Sequence, residues 1–310
     1  MRRFVLAVGL VAGWIVSLSS QPLPPVEAEA PQALLASPRH GEWVQVPGMG
    51  TDRFNAWVVY PERPDPAPVL VLIHEIFGLT DWVRAVADSY AAAGFLVIAP
   101  DLLSGKAPDG KGGSRELGQD ASRNAIAGLD PTEVTARLDA SARWATSQPS
   151  ATPAFGVVGF CWGGGTAFAW ATAQPALGAA IGYYGTAPTK DAMGKIRAPV
   201  LGLYGGSDAR VTSTMAGFRD EMARLGKSFT AQVYDGAGHA FLRQQGGQNG
   251  ANLKAAQQAW PTSIAFLKDA LEAKTKVSSW SVVPSSVPSS KVSFGIDCGG
   301  VHTKTVARRS

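Results

Sequence analysis

Apolar positions along the middle of the chain alternate between two textures. Val69-Leu70-Val71-Leu72-Ile73 is an unbroken apolar run, the pattern of a strand buried on both faces. From about Asp81 to Ala93, residues Val83, Val86, Ala87 and Tyr90 recur at spacings of three and four. Gly94 then supplies a stop, so this stretch predicts a helix. The textures repeat downstream: Phe95–Ala99 as strand, about Pro131–Thr146 as helix, Phe155–Phe160 as strand, and Trp162–Ala173 as a helix that follows at once. Val200–Tyr204 and Thr230–Tyr234 are later strands, separated by a helix near Thr212–Leu225, and a last helical pattern ends near Ala273. This alternation predicts an α/β domain with a mostly parallel central sheet flanked by helices. Two earlier strands, Glu42–Val46 and Phe54–Tyr60, are expected as an antiparallel hairpin at the sheet edge. No internal repeat is visible.

The 310 residues, 45 % of them apolar, suit a single large domain and exclude wholesale disorder. Both ends read as lying outside that domain. Arg2 and Arg3 precede an uncharged, mostly apolar run from Phe4 to Leu18. At about 15 residues it is short for a membrane span, which takes about 20, and right for a signal peptide. Residues 1–20 are therefore expected to be a signal peptide and the protein to be exported, periplasmic or secreted. An uncleaved N-terminal anchor is the alternative. Residues 21–40 are read as a Pro-rich linker, 41–273 as the domain, and 274–310 as a disordered Ser/Pro-rich basic tail.

The formal charge of +4 divides along those boundaries. Residues 1–40 carry +1 (three Arg, two Glu), residues 273–310 carry +5 (six basic, one acidic), and residues 41–272 carry −2 (19 basic, 21 acidic). The basic character belongs to the tail, which removes the compositional argument for a nucleic-acid partner. Two cysteines cannot build a disulfide framework or a four-cysteine zinc site, and Cys298 carries no recognisable chemistry. The four histidines, His40, His74, His239 and His302, have no paired ligand spacing, so no metal is expected.

In an open α/β sheet, chemistry collects at the carboxyl ends of the strands. Gly159-Phe160-Cys161-Trp162-Gly163 lies between a predicted strand and a predicted helix, the context of a nucleophile elbow. The tight turn requires small residues two before and two after the nucleophile, which here is Cys161. A thiol at a helix N-terminus is expected to be favoured as thiolate by the helix dipole. Gly205-Gly206-Ser207-Asp208 and Asp235-Gly236-Ala237-Gly238-His239 each follow a later predicted strand. The order nucleophile, acid, histidine is the one α/β hydrolases use. In that arrangement His239 takes the thiol proton and Asp208 fixes the imidazole tautomer.

His74-Glu75-Ile76-Phe77-Gly78, Pro100-Asp101-Leu102, Gly159-Phe160-Cys161-Trp162-Gly163-Gly164, Gly205-x-x-Asp208 and Gly236-x-Gly238-His239-x-Phe241 together resemble the dienelactone hydrolase family. The resemblance spans about Gly41 to Leu271. It implies a single domain of the α/β-hydrolase fold that works without metal or organic cofactor. Carried onto this chain, it makes Cys161 the nucleophile, His239 the base and Asp208 the orienting acid. It makes Glu75 the carboxylate that touches the resting thiol and is displaced by substrate. The backbone N–H groups of Ile76 and Trp162 become the oxyanion donors. Of the two arginines that hold the family's substrate carboxylate, Arg243 matches one. The other falls at Gly105, with Lys106 beside it, and a lysine supplies charge without a planar fork. The expected activity is hydrolysis of small esters or lactones through a thioester acyl-enzyme, by a monomer that neither binds nucleic acid nor inserts stably in a membrane. Alternatives are a general carboxylesterase on linear esters and a non-catalytic secreted binding protein on the same scaffold. Specificity is expected in the Gly-rich loop Ser104–Asp130, as a lid or rim. Trp82 and Trp162 flank the expected pocket.

Overall fold

The structure, a computed structural model, describes residues 22–280. The segment expected as a signal peptide and the chain from 281 onward, Cys298 included, lie outside the described residues. Eight strands form one sheet: β1 (Gly41–Pro47), β2 (Arg53–Val59), β3 (Ala67–Ile73), β4 (Leu96–Pro100), β5 (Ala151–Phe160), β6 (Ala180–Tyr183), β7 (Val200–Gly205) and β8 (Phe229–Tyr234). Their order is β1-β2-β4-β3-β5-β6-β7-β8. The β1–β2 hairpin sits at the edge, as its alternating pattern predicts, and β2 joins β4 antiparallel. All pairings from β4 to β8 are parallel. The short strand β6, Ala-Ile-Gly-Tyr, is buried throughout and had no separate signature in the sequence pattern.

Helices α1 (Ala30–Ala36), α2 (Asp81–Ala92), α3 (Ser114–Ala127), α4 (Pro131–Thr146), α5 (Trp162–Ala173), α6 (Lys190–Met193), α7 (Ala209–Arg224) and α8 (Ala251–Trp280) cover the sheet. Strand alternation assigns the two faces. Leu70, Leu72, Val97 and Ala99 point to the face packed by Trp82, Val86 and Tyr90 of α2 and Ala256, Trp260 and Leu267 of α8. Val69, Val71, Ile73, Leu96 and Ile98 point to the face packed by Leu138 of α4, Phe168 and Trp170 of α5, and Phe218 of α7. Local signals set the helix starts. The Thr80 hydroxyl accepts from the Val83 amide at 3.5 Å, and Asp130 accepts from the Thr132 amide at 2.8 Å with Pro131 in the first helical turn.

Three segments differ from the sequence expectation. Residues read as a Pro-rich linker carry a 3₁₀ turn at Glu27–Glu29 and then α1, which packs on α2. They are tied down: Trp82 Nε1 donates to the Pro25 carbonyl at 3.1 Å, Gln245 Nε2 to the Pro24 carbonyl at 2.9 Å, and Arg39 forks onto Asp88 at 3.0 and 2.6 Å. The stretch expected as a loop over Ser104–Asp130 contains α3, broken at Gly118 where φ is +71°. Its start is clamped by buried Asp101, which accepts from the Ser114 hydroxyl at 2.5 Å and the Ser114 amide at 2.9 Å. The last helix runs on to Trp280, into the part assigned to the tail.

One ion pair ties the edge hairpin to the chain leaving β4. Arg137 of α4 is 5 % exposed; its Nε and Nη2 meet Asp52 at 3.1 and 3.0 Å, and Nη1 donates to the carbonyls of Leu102 and Ser104 at 3.1 and 3.0 Å. Removing the guanidinium strands two carbonyls and a carboxylate, the costly direction for a mostly buried pair. Arg137→Met is expected to lower unfolding stability by roughly 2–3 kcal/mol, less than a fully buried pair because Asp52 is partly solvated. Urea unfolding checks this, and a loss within about 0.5 kcal/mol of zero would contradict it.

Candidate active site

The turn between β5 and α5 is built for a side chain that must stand exposed above the sheet. Cys161 has φ +55° and ψ −117°, a conformation that L residues adopt at a cost of about 1–3 kcal/mol. Its amide is held by the Tyr183 carbonyl at 3.0 Å. The flanking glycines are required by close approach: a Cβ on Gly159 would lie 1.9 Å from the Gly163 carbonyl oxygen, and one on Gly163 2.4 Å from that of His74. These rigid backbone contacts are the physical content of the G-x-C-x-G spacing.

Cys161, Asp208 and His239 converge from the ends of β5, β7 and β8. His239 Nε2 lies 3.0 Å from Cys161 Sγ, and Nδ1 lies 2.5 Å from Asp208 Oδ2. A carboxylate at Nδ1 places the proton there and leaves Nε2 free to accept from the thiol. The Tyr184 ring stands edge-on to the imidazole at 5.0 Å, and the Gly238 amide donates to Asn252 Oδ1 at 2.9 Å, fixing the histidine loop to α8. His74 belongs to the framework. Its Nδ1–H donates to the Glu75 carbonyl at 2.8 Å, its Nε2 accepts from the Leu102 amide at 3.3 Å, and burial lowers its pKa, so it is neutral.

Glu75 is 3 % exposed, and burial pushes its carboxyl up to about 7 despite the opposing pull of Arg243 and the Tyr184 hydroxyl. Arg243 Nε lies 2.7 Å from Glu75 Oε2, a charge contact rather than an aligned hydrogen bond; Glu75 Oε1 and the Tyr184 hydroxyl also lack an aligned partner. Arg243 Nη1 meets Glu27 Oε2 at 2.5 Å, and the guanidinium lies over the Phe77 ring. Burial, and then the Glu75 charge, push the Cys161 thiol up to about 11. The Trp162 backbone N–H, Arg210 and Arg243 act the other way but do not outweigh them. Burial and Glu75 thus work against the expected dipole-favoured thiolate and favour the thiol at rest. It faces His239, while Glu75 is engaged by Arg243.

Ile76, Cys161, Trp162, Tyr184, Thr186 and Arg210 line a cavity of about 350 Å³ above the nucleophile. Ile76 and Trp162 thus line the same cavity as Cys161. Lys106 is elsewhere, paired with Glu133 of α4 at 2.9 Å. Trp82 packs in the core, edge-on to Phe160 at 5.2 Å. Arg210 and Tyr184 had escaped the sequence reading. Arg210 stands two residues after Asp208 and had only that proximity to mark it, whereas Tyr184 follows the unrecognised strand β6. Arg210 makes no ion pair among the described residues. Among the described residues no group of three His, Cys, Asp or Glu side chains is placed to hold a metal, and no helix is long and apolar enough to cross a membrane.

Comparison with known proteins agrees with this geometry. The model of the dienelactone hydrolase family matches residues 54–271. A Methylorubrum extorquens protein provisionally named carboxymethylenebutenolidase is 29 % identical over 252 residues, 77 % of this chain and 84 % of its own length. The carboxymethylenebutenolidase of Pseudomonas putida is 28 % identical over 65 % of this chain and 86 % of its own. A crystal structure from Klebsiella pneumoniae, provisionally named a dienelactone hydrolase, superposes with a TM-score of 0.65 at 26 % identity, covering 74 % of this chain and 98 % of its own. With this sheet order, this elbow and a family match over most of the domain, the chain is a carboxylic ester hydrolase of the α/β-hydrolase fold and belongs to the dienelactone hydrolase family.

Proposed function

We propose that this protein hydrolyses small esters or lactones by nucleophilic catalysis at Cys161, through a thioester acyl-enzyme. The observation that carries the reading is the continuous contact from Cys161 Sγ through both nitrogens of His239 to Asp208. In the first half, Sγ bonds to the carbonyl carbon while His239 Nε2 takes the thiol proton. Asp208 stabilises the imidazolium, and the N–H groups of Ile76 and Trp162 receive the developing oxyanion. The carbon–oxygen bond then breaks and His239 returns the proton to the departing alkoxide. In the second half, water gives its proton to His239 and attacks the thioester, releasing the carboxylic acid and restoring the thiol. Because the resting sulfur is neutral, it is guarded from oxidation until a carbonyl is presented.

The two cations that the resemblance assigns to a substrate carboxylate are both engaged in this structure. Arg243 is already neutralised by Glu75 and Glu27, and Lys106 by Glu133, so neither is free to clamp a substrate carboxylate. Arg210, which makes no ion pair among the described residues, lines the cavity and is placed to meet a substrate charge. We also read the protein as exported, from residues 1–20, and as a monomer.

A panel of small lactones and aryl esters tests the reaction. Cys161→Ala is expected to lower kcat/KM by about 10⁴-fold or more, and Asp208→Asn by about 10⁴-fold through the wrong imidazole tautomer. Equal rates for wild type and Cys161→Ala would sink the nucleophile assignment. The buried carboxyl makes a separate prediction. Folding raises the Glu75 pKa from 4.5 to about 7, so its stabilising contribution is full below 4.5 and is lost as pH rises through 7. Glu75→Gln, which cannot ionise, should therefore gain in Tm relative to wild type between pH 5 and pH 8. A constant difference between the two proteins over that range would contradict it.

A further inference from the structure

A second cavity, of about 320 Å³, lies between α3, α4 and α5. Ile126 of α3, Leu129 beyond its end, and Val134 and Leu138 of α4 give it apolar walls. Its remaining boundary includes Trp162 and Thr186, and these same two residues line the cavity that holds Cys161. The two spaces therefore adjoin across a shared wall directly beside the nucleophile. The Trp162 ring stacks on that of His74, with centroids 5.7 Å apart.

The chemistry of the second cavity differs from that of the first. Among the described residues no charged side chain lines it. Of its threonines, Thr135 donates to the Pro131 carbonyl at 2.9 Å and Thr166 to the Trp162 carbonyl at 2.9 Å, so both hydroxyls are spent within their own helices. Apart from Thr186 on the boundary with the first cavity, what remains is mainly apolar contact. The volume is at the small end of ligand sites, enough for a ring or a short alkyl chain.

We propose that this cavity is the subsite for an apolar arm, alkyl or aryl, of the ester whose carbonyl sits at Cys161. The assignment rests on the hydrolase reading and goes beyond it by naming the substrate class: esters with an uncharged, hydrophobic branch of a few carbons. Ile126 of α3 and Leu129 line the cavity, so the segment expected as a mobile loop contributes to the subsite.

Two series test it: aryl esters with a lengthening acyl chain, and acetate esters with a lengthening alcohol. In wild type, kcat/KM should rise about fourfold per added methylene in one series until the cavity is full, the value for burying one methylene. Ala169→Phe, a substitution at an exposed position of α5 that projects bulk into the cavity, should lower the ratio of longest to shortest substrate at least tenfold. Leu129→Lys, at a half-buried position, should do the same by placing charge there, and thermal unfolding verifies that both variants fold. A flat length dependence in wild type, or a rising one that neither variant alters, would overturn the subsite while leaving Cys161 chemistry standing. Absence of Cys161-dependent turnover with every member would instead refute the catalytic reading, and the subsite with it.

Discussion

Glu75 and Arg243 form a charge pair in a place that excludes water, and the arrangement of the site follows from what that pair requires. An isolated buried carboxylate is costly enough that the group would simply take a proton. Arg243 offsets the burial only in part, which is why the Glu75 carboxyl comes to rest at about 7. Arg243 is itself mostly buried and needs a second carboxylate, which Glu27 supplies from the N-terminal segment. The pair thus links the end of β3, the loop that carries His239, and the residues preceding α1. It also determines the state of the nucleophile. Glu75 adds its charge to the burial already raising the Cys161 thiol, and together they override the backbone N–H at the helix start.

The rest of the site distributes strain and rigidity in a complementary way. Cys161 occupies an unfavourable backbone conformation, and the structure around it leaves no room to relax: Gly159, Gly163 and the Tyr183 carbonyl close the turn from three sides. Asp208 and His239 are carried by loops after two adjacent parallel strands, β7 and β8, so their separation is set by the sheet spacing. The imidazole bridges the Asp208 loop to the elbow. A rigid parallel sheet with reactive residues at its strand ends converts a local sequence spacing into a three-dimensional contact.

This explains which features could be read from the chain. Cys161, Asp208 and His239 were legible because each lies in a glycine-rich turn after a recognisable strand, where strand pattern and turn chemistry agree. The β1–β2 hairpin was legible for the same reason. The segment from Leu23 to Ala36 was not, because proline content suggests a linker, whereas its fixation depends on partners far along the chain, such as Trp82, Gln245 and Arg243. Helix α3 was hidden by its glycines; Asp101 and Ser114, thirteen residues apart, hold its start by a contact that periodicity does not encode. The partners of Arg243 were hidden on similar grounds. Its spacing from His239 suggested a substrate contact, and nothing local announced the two carboxylates, Glu27 and Glu75, that it pairs with.

The central claim is that burial together with Glu75 keeps Cys161 a neutral thiol at rest. Titration of its alkylation rate by iodoacetamide, in a Cys298→Ser background, tests this most directly. The account predicts a midpoint near pH 11, moving downward in Glu75→Gln. A midpoint at or below neutrality that is indifferent to Glu75 would contradict it.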